Sequence, residues 1–199
     1  MNEPYILILY YSATGATYNL AQEIAIGVEQ TMGIEARIRT VPQISPTTEQ
    51  TNPEIPTTGP LYATLDDMAN CAGLALGSAT RFGNMAAPLK YFIDQTAALW
   101  QDNALANKPA GCFTSTGGQH SGQETTLLSM MLPLIHHGAI IVGIPYTEVV
   151  LNTTTTGGTP YGPSHVSSET QQHHLTQDEQ TLSRAFGKRL AQLALRLKT

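Results

Sequence analysis

Charged residues are scarce in this 199-residue chain: they make up 13% of it, where about 25% is usual for globular domains. The ten Lys and Arg residues form no basic run, and the formal net charge is −5. Such a chain cannot neutralise many phosphates, so we expect neither nucleic acid nor an anionic membrane as a partner. A surface with so few charges favours association, which predicts an oligomer.

Long apolar runs and cysteines are also lacking. No apolar stretch approaches the roughly 20 residues of a membrane-spanning helix, and the start, MNEPYILILYY, lacks the basic flank of a signal peptide. The two cysteines, Cys71 and Cys112, belong to no His and Cys cluster with metal-ligand spacing. These absences predict a cytoplasmic protein with reduced thiols, no membrane span and no metal site.

Hydrophobic patterns predict an α/β fold. Five segments have the pattern of strands: residues 5–10, 34–41, 73–77, 110–114 and 139–144. The second alternates apolar and polar residues, as an edge strand does, and the later ones are apolar throughout, as in parallel strands covered on both faces. Helical patterns lie between them. We therefore expect one domain, residues 1–199, with a doubly wound five-stranded parallel sheet and helices on both faces.

Some segments interrupt this pattern. Residues 41–62 contain five prolines, residues 145–174 contain TTTTGGTPYGP, and both are predicted to be long loops. Pro133 falls inside the helical pattern of residues 123–136, where it predicts a kink or a split. Thr176 and Glu179 have the spacing of a capping box at the start of the last helix.

The first strand runs into residues 12–17, SATGAT, where three hydroxyl side chains surround Gly15. Backbone N–H groups and the positive end of a helix dipole converge at such a strand-to-helix loop, which predicts a phosphate site. The loop lacks the lysine of nucleoside-triphosphate sites, and the chain has no G-x-G-x-x-G. A single phosphomonoester is the ligand that remains, and a well-capped turn without a ligand is the alternative.

Two further loops follow the third and fourth strands: residues 78–84 (SATRFGN) and 115–122 (STGGQHSG). In a sheet ordered 2-1-3-4-5 they open at the same edge as residues 12–17, at the switch point where flavin mononucleotide (FMN) binds in such folds. Their backbone groups suit the rim of an isoalloxazine ring, and Phe82 is placed to flank that ring. Ordinary strand-to-helix turns are the alternative.

The chain contains several motifs, each once: YYSATGAT, GSATRFGNMAAPLKYFIDQT followed by Trp100, STGGQHSGQE, the run His136-His137-Gly138, and GGTPYG. As a set they resemble the WrbA family of NAD(P)H:quinone oxidoreductases, first described as tryptophan-repressor-binding proteins. The resemblance runs from Tyr5 to the C-terminal helix. It implies a flavodoxin-like fold, FMN as cofactor, and a homotetramer whose subunits share their sites.

The resemblance also implies a role for each matching position. The residues that hold the FMN phosphate are Ser12, Ala13, Thr14, Gly15, Ala16 and Thr17. The residues that line the flavin ring are Thr80, Arg81, Phe82 and Asn84, and those that cover its pyrimidine end are Ser115, Thr116, Gly117, Gly118, Gln119 and His120. His136 contacts the flavin and is the catalytic candidate, Thr14 also meets the pyridine nucleotide, and Trp100 meets the quinone. From the residues alone, His136 is equally well explained as a cation at a helix end.

Four features depart from the family pattern. Thr14 stands where the family has tyrosine, and Ala79 stands where it usually has proline. His120 is an insertion in the loop of residues 115–122, which we call the third loop. The segment SSETQQHH replaces a glycine-rich segment of the family. These departures concern the nicotinamide contacts and the outer wall of the site.

The leading hypothesis is an FMN-dependent NAD(P)H dehydrogenase (quinone) that reduces quinones by two electrons in a ping-pong mechanism. Its partners are then NADH or NADPH and a quinone, and the sequence does not distinguish the two nucleotides. The alternatives are a flavodoxin-like electron carrier and an FMN-binding regulatory module. An electron carrier usually presents a dense acidic face to its partners, which the low charge content argues against.

Overall fold

A parallel sheet with helices on both faces forms the core of the computed structural model, which describes residues 4–44, 55–167 and 174–197. The strands in these ranges are β1 (Tyr5–Tyr11), β2 (Glu35–Thr40), β3 (Gly73–Arg81), β4 (Asn84–Met85), β5 (Pro109–Thr116), β6 (Ile140–Ile141) and β7 (Ser164–Val166). The parallel path runs β2-β1-β3-β5-β6. Counting only its five strands, this is the predicted order 2-1-3-4-5.

The position beside β5 is divided between two segments of the chain. Strand β6 pairs with the start of β5, at Pro109 and Ala110, and β7 pairs with its end, at residues 114–116. The predicted fifth strand, residues 139–144, is therefore longer than the observed one. Its second half turns away, so that Ile144 N–H donates to the carbonyl of Pro160 instead of to β5. Strands β4 and β7 have only two and three residues, too few to produce a detectable period.

The helices are α1 (Ala16–Glu29), α2 (Leu65–Ala69), α3 (Ala87–Asp94), α4 (Ala97–Gln101), α5 (Gln123–His136) and α6 (Gln177–Leu197). Alternate residues of β1 point to the two faces: Ile6 and Ile8 pack with α1 and α6, whereas Leu7 and Leu9 pack with α2, α3 and α5. Within the described ranges, no helix combines the length and the apolar composition needed to cross a membrane.

Helices α1 and α6 approach closely at two glycines. A Cβ on Gly27 would lie 2.0 Å from the carbonyl oxygen of Arg184, and one on Gly187 would lie 2.1 Å from that of Ile24. No side chain fits at either position, so both glycines are required by the crossing. This contact lies in the second half of α1 and fixes that helix against α6.

Helix α5 runs unbroken through Pro133, so the expectation of a split there is wrong. The proline lies in the last turn, where its missing N–H removes a single helical bond, to the carbonyl of Ser129. Buried Met131 and Leu134 anchor that turn on the core. The helix ends when His137 N–H donates to the carbonyl of Pro133.

The predicted capping box is confirmed: Thr176 N–H donates to Glu179 Oε2 at 2.9 Å, and Glu179 N–H donates to Thr176 Oγ1 at 3.2 Å. Of the two predicted long loops, residues 45–54 and 168–173 lie outside the described part of the chain, and with them most of SSETQQHH. Residues 149–152 form a 3₁₀ turn.

Candidate active site

The loop after β1 folds on itself. The N–H of Gly15 donates to Ser12 Oγ at 3.0 Å, and Gly15 has φ +101°, a left-handed conformation that favours glycine. Within the described residues, no side chain caps the start of α1. The N–H groups of that first turn therefore point towards the open edge of the sheet, next to the exposed Ala13 and Thr14. Such a helix start attracts an anion.

Thr17 joins this loop to the loop after β5. Its side chain is completely buried, and its Oγ1 lies 2.8 Å from Ser115 Oγ across 98 residues of sequence. The end of β1, the start of α1 and the end of β5 therefore meet at one point. We call the region where β1, β3 and β5 end the carboxyl edge.

Phe82 occupies the tip of a tight hairpin between β3 and β4. Arg81 pairs with Asn84, and the two residues between them, Phe82 and Gly83, have φ +53° and +76°. This is the type I′ turn preferred in two-residue hairpins, for which Asn-Gly is the usual sequence. A left-handed phenylalanine costs about 1–2 kcal/mol. The hairpin nevertheless holds its ring wholly exposed at the carboxyl edge.

Thr80 faces inwards. Its Oγ1 lies 3.2 Å from both Thr114 Oγ1 and Thr126 Oγ1, so it connects β3 to β5 and α5. Asn84 Oδ1 accepts the N–H of Met85, and Arg81 donates one N–H to the carbonyl of Thr80. The side chain of Arg81 is otherwise exposed.

Gln123 braces the loop after β5, and sequence reasoning missed it. Its Nε2 donates to Thr116 Oγ1 at 3.2 Å and to the carbonyl of Gln119 at 3.3 Å, and its Oε1 accepts a hydrogen bond from Ser164. Gln123, Thr116 and Ser164 are all buried. In contrast, Gly117, Gln119 and His120 are exposed. The third loop is therefore fixed on its buried side and exposed on the other side.

Glu179 is the centre of a second buried network. One carboxylate oxygen accepts the N–H groups of Gly157 and Val166, and the other accepts that of Thr176 and lies 2.9 Å from His165 Nδ1. Burial raises the pKa of Glu179, but these hydrogen bonds outweigh burial and leave the pKa below its ordinary value. The capping-box pattern predicted only the bond to Thr176.

This network supports the site from behind. Because a carboxylate only accepts, His165 donates from Nδ1, and its Nε2 has no partner among the described residues. His165 lies in β7 opposite Ser115, so the network holds β7 against the end of β5. Glu179 thereby contributes to the position of Ser115 without lying at the carboxyl edge itself.

Trp100 and His136 lie at the opposite edge of the sheet. Their rings stack at 5.7 Å with an interplanar angle of 28°, and both are exposed. Asn107 N–H donates to the carbonyl of Gly138, which places the end of α5 beside the start of β5. An eight-residue strand spans about 25 Å, so one chain does not bring this pair together with residues 12–17. We call this pair with its surroundings the amino edge.

His137, next to His136, is structural. It is buried, and its Nε2 lies 2.9 Å from Thr96 Oγ1, which itself donates to the carbonyl of Ile93. His137 is therefore the donor in its bond to Thr96. Burial, helped by the neighbouring His136, lowers the pKa of His137, so the ring is neutral near pH 7.

The cysteines take no part in the site. Cys71 and Cys112 are free and buried, and burial raises the pKa of Cys71 to about 11 and that of Cys112 further. Neither thiol is ionised at neutral pH. The described residues contain no group of His, Cys, Asp or Glu side chains arranged to hold a metal.

The model of one protein family, NADPH-dependent FMN reductase, matches residues 4–151. The chain belongs to that family. A curated relative from Acidithiobacillus ferrooxidans, named NAD(P)H dehydrogenase (quinone), is 37% identical over 203 residues, covering 96% of this chain and 98% of the relative. The family and this relative confirm the resemblance inferred from the motifs.

Two solved structures have the same fold as this FMN reductase family member. A flavodoxin, WrbA-like protein from Agrobacterium tumefaciens has a TM-score of 0.70 at 19% identity and covers 98% of this chain and 99% of its own. Oxidised Flavodoxin 1 from Bacillus cereus has a TM-score of 0.60 at 14% identity and covers 94% and 97%. The fold is therefore flavodoxin-like, as predicted.

The donors at the carboxyl edge suit FMN. The loop of residues 12–17 offers hydroxyl and backbone N–H groups without a cation, which fits one phosphomonoester and not a triphosphate with its metal. A Cβ on Gly117 would meet no atom within 4 Å, so the backbone of the third loop is open to a ligand at that residue. The exposed Phe82 provides an aromatic face at the same edge.

Proposed function

We propose that this chain is an FMN-dependent NAD(P)H dehydrogenase (quinone), which transfers two electrons from NADH or NADPH to a quinone. One observation carries the proposal: three loops rich in hydroxyls and glycine meet at one open edge, where Thr17 contacts Ser115 and Thr80 contacts Thr114. The 37% identity to a relative of that name supports it. When bound, FMN supplies the redox chemistry, and the protein supplies binding, orientation and electrostatics.

The phosphate end is held by the loop of residues 12–17. Thr17 and the first N–H groups of α1 donate to the phosphate, and the positive end of the helix dipole offsets its charge. The Ser12 hydroxyl, which accepts the N–H of Gly15, keeps the loop in the shape that exposes these groups. Ala13 and Thr14 form its exposed tip, where Thr14 meets the pyridine nucleotide.

The ring end lies between the hairpin and the third loop. Phe82 flanks the ring, and backbone groups of Thr80, Arg81 and residues 115–120 bond its polar rim. Gln123 keeps the third loop in place through Thr116. One open ring face then serves both substrates in turn, because two flat rings cannot stack on one face together. The mechanism is therefore ping-pong.

The second half of the site comes from another copy of the chain. Trp100 and His136 lie too far from residues 12–17 to act in the same subunit, which supports a homotetramer with shared sites. Exposed apolar side chains of α5 extend from this pair: Leu128, Leu132 and Ile135 are 44%, 66% and 56% exposed. Such a stripe is typical of a subunit contact. In the assembly, Trp100 contacts the quinone and His136 stabilises negative charge developing on the reacting rings.

Steady-state kinetics with NADH and benzoquinone test the function. We expect turnover by the FMN-loaded protein alone, with parallel double-reciprocal lines at several quinone concentrations. An electron carrier would require a separate reductase, and a regulatory module would not turn over. Intersecting lines would contradict the ping-pong mechanism. His136→Ala is expected to slow at least one half-reaction without changing the fold.

The proposed function is consistent with a location in the cytoplasm. The free, buried thiols of Cys71 and Cys112 suit the reducing cytoplasm, where the supply of NADH and NADPH is found.

A further inference from the structure

A groove of about 480 Å³ lies at the carboxyl edge, between the end of β1, the β3–β4 hairpin and the start of α3. We call it the α3 groove. Its lining includes Tyr11, Arg81, Met85, Pro88 and Lys90. Its volume lies within the range of about 300–1,000 Å³ that is usual for small-molecule sites. Of the lining residues, Arg81 and Asn84 also belong to the predicted flavin site, whereas no role assigned above uses Tyr11, Met85, Pro88 or Lys90.

The α3 groove is positively charged. Arg81 and Lys90 are two of only ten cationic side chains in the chain, and the described lining contains no carboxylate. Arg81 uses one N–H for the carbonyl of Thr80, which leaves most of its five donors for a ligand. Lys90 is paired with Asp94 one turn further along α3, at an exposed position. The charge of the groove comes from these two side chains.

The α3 groove is not the FMN phosphate site. Helix α1, which follows residues 12–17, packs on one face of the sheet with α6, whereas α3 packs on the other face. The two anion-attracting features therefore lie on opposite sides of the carboxyl edge. Phe82 directly follows Arg81, at the tip of the β3–β4 hairpin. A ligand in the groove would reach the flanking ring without displacing the FMN phosphate.

We propose that the α3 groove binds the non-reacting, phosphate-bearing half of the reduced pyridine nucleotide, with Arg81 and Lys90 as its anion contacts. This inference rests on the proposed function. The apolar side chains of Tyr11, Met85 and Pro88 provide a surface for the adenosine, and the cations meet its phosphates. Because the groove lies beside the ring face and not on it, the nicotinamide and the quinone still take turns there.

Calorimetric titration of the FMN-loaded protein with ADP-ribose and 2′-phospho-ADP-ribose tests the inference, since both ligands lack the reacting ring. Lys90→Ala is expected to weaken binding about three- to tenfold. Asp94→Asn is expected to strengthen it about twofold, because it frees Lys90 from its neutralising partner. If Lys90→Ala loses affinity equally for both ligands, Lys90 contacts the pyrophosphate. If it loses affinity only for 2′-phospho-ADP-ribose, Lys90 contacts the 2′-phosphate.

Lys188→Ala is the matched control, because it removes an exposed lysine from α6 on the other face of the sheet. Wild-type protein that binds neither ligand, or a Lys188→Ala loss as large as that of Lys90→Ala, would overturn the inference. So would unchanged binding in both Lys90→Ala and Asp94→Asn. Ligand binding without any NAD(P)H-dependent turnover would refute the proposed function and leave the groove assignment intact. Normal NAD(P)H-dependent turnover without binding of either ligand would refute the groove assignment and leave the proposed function intact.

Discussion

The two edges of the sheet differ in construction. At the carboxyl edge, buried or half-buried polar side chains connect the loops: Thr17 to Ser115, Thr80 to Thr114, and Gln123 to Thr116. At the amino edge, the aromatic pair of Trp100 and His136 is exposed, and the buried polar contact beside it, from His137 to Thr96, makes no bond to that pair. The carboxyl edge is thus preorganised within one chain, whereas under the proposed function the amino edge acquires its role only in an assembly. The following predictions test this contrast, from the largest expected effect to the smallest.

Glu179→Ala should cause the largest loss of stability. It removes the common acceptor of three backbone N–H groups and the buried His165, and breaking such a network around a buried carboxylate costs about 3–5 kcal/mol. Urea unfolding measures this loss. Asp178→Asn changes the neighbouring carboxylate at a less buried position and should cost less than about 0.5 kcal/mol. A similar cost for both variants would show that the network does not stabilise the carboxyl edge.

The same carboxylate predicts a pH dependence. Its pKa is lower in the folded chain than in the unfolded chain, so its contribution to stability is present above the unfolded pKa. That contribution is lost as the pH falls through the folded pKa. Unfolding free energies measured from pH 7 to pH 3 should therefore decrease more steeply in wild-type protein than in Glu179→Gln. Parallel curves would mean that the carboxylate titrates alike in both states.

Thr17→Ala should weaken FMN binding at least tenfold, because a hydrogen bond to a charged group is worth about 1.5–3 kcal/mol. Riboflavin, which lacks the phosphate, should bind with nearly unchanged affinity. Thr17→Ser retains the hydroxyl and its contact with Ser115, and serves as the control. Fluorescence titration gives both affinities, and equal losses for the two ligands would remove Thr17 from the phosphate site.

Subunits that carry Trp100→Ala should form active sites with subunits that carry Thr17→Ala. Each homotetramer alone is deficient, but in a random one-to-one mixture about a quarter of the sites combine both intact halves. Quinone turnover of the mixture should therefore exceed that of either variant. Strict averaging of the two activities would indicate that each subunit works alone. Sedimentation of an active, FMN-loaded monomer of 21.4 kDa would also exclude the shared site.

Thr96→Val should have the smallest effect, about 1 kcal/mol. It removes the single hydroxyl that accepts from His137 at the amino edge. The FMN affinity should stay at the wild-type value, because Thr96 lies far from the carboxyl edge. Thermal unfolding and FMN titration measure the two quantities. A loss of FMN affinity would show that the two edges are coupled within one chain.

The strand order and the three loops could be predicted from the sequence because apolar runs and glycine-rich loops are local signals. Gln123 and His165 could not, because their partners are 7 and 14 residues away on other elements and no pattern marks the pairs. The proposed role of Phe82 beside the flavin rests on its aromatic chemistry, and its left-handed turn could not be predicted, since Phe-Gly is not a usual type I′ sequence.

By itself, the sequence determined the flavodoxin-like order of strands and the small, polar loop of residues 12–17 at the start of α1. Both follow from local features of the sequence: apolar strands become buried, and small polar residues suit an anion site at a helix start. Only the tertiary structure decided that β6 and β7 share the position beside β5, and that Trp100 and His136 lie a strand length from residues 12–17. Both depend on where the chain returns after leaving the sheet, and the distance between two residues in space follows from packing, not from their separation in sequence.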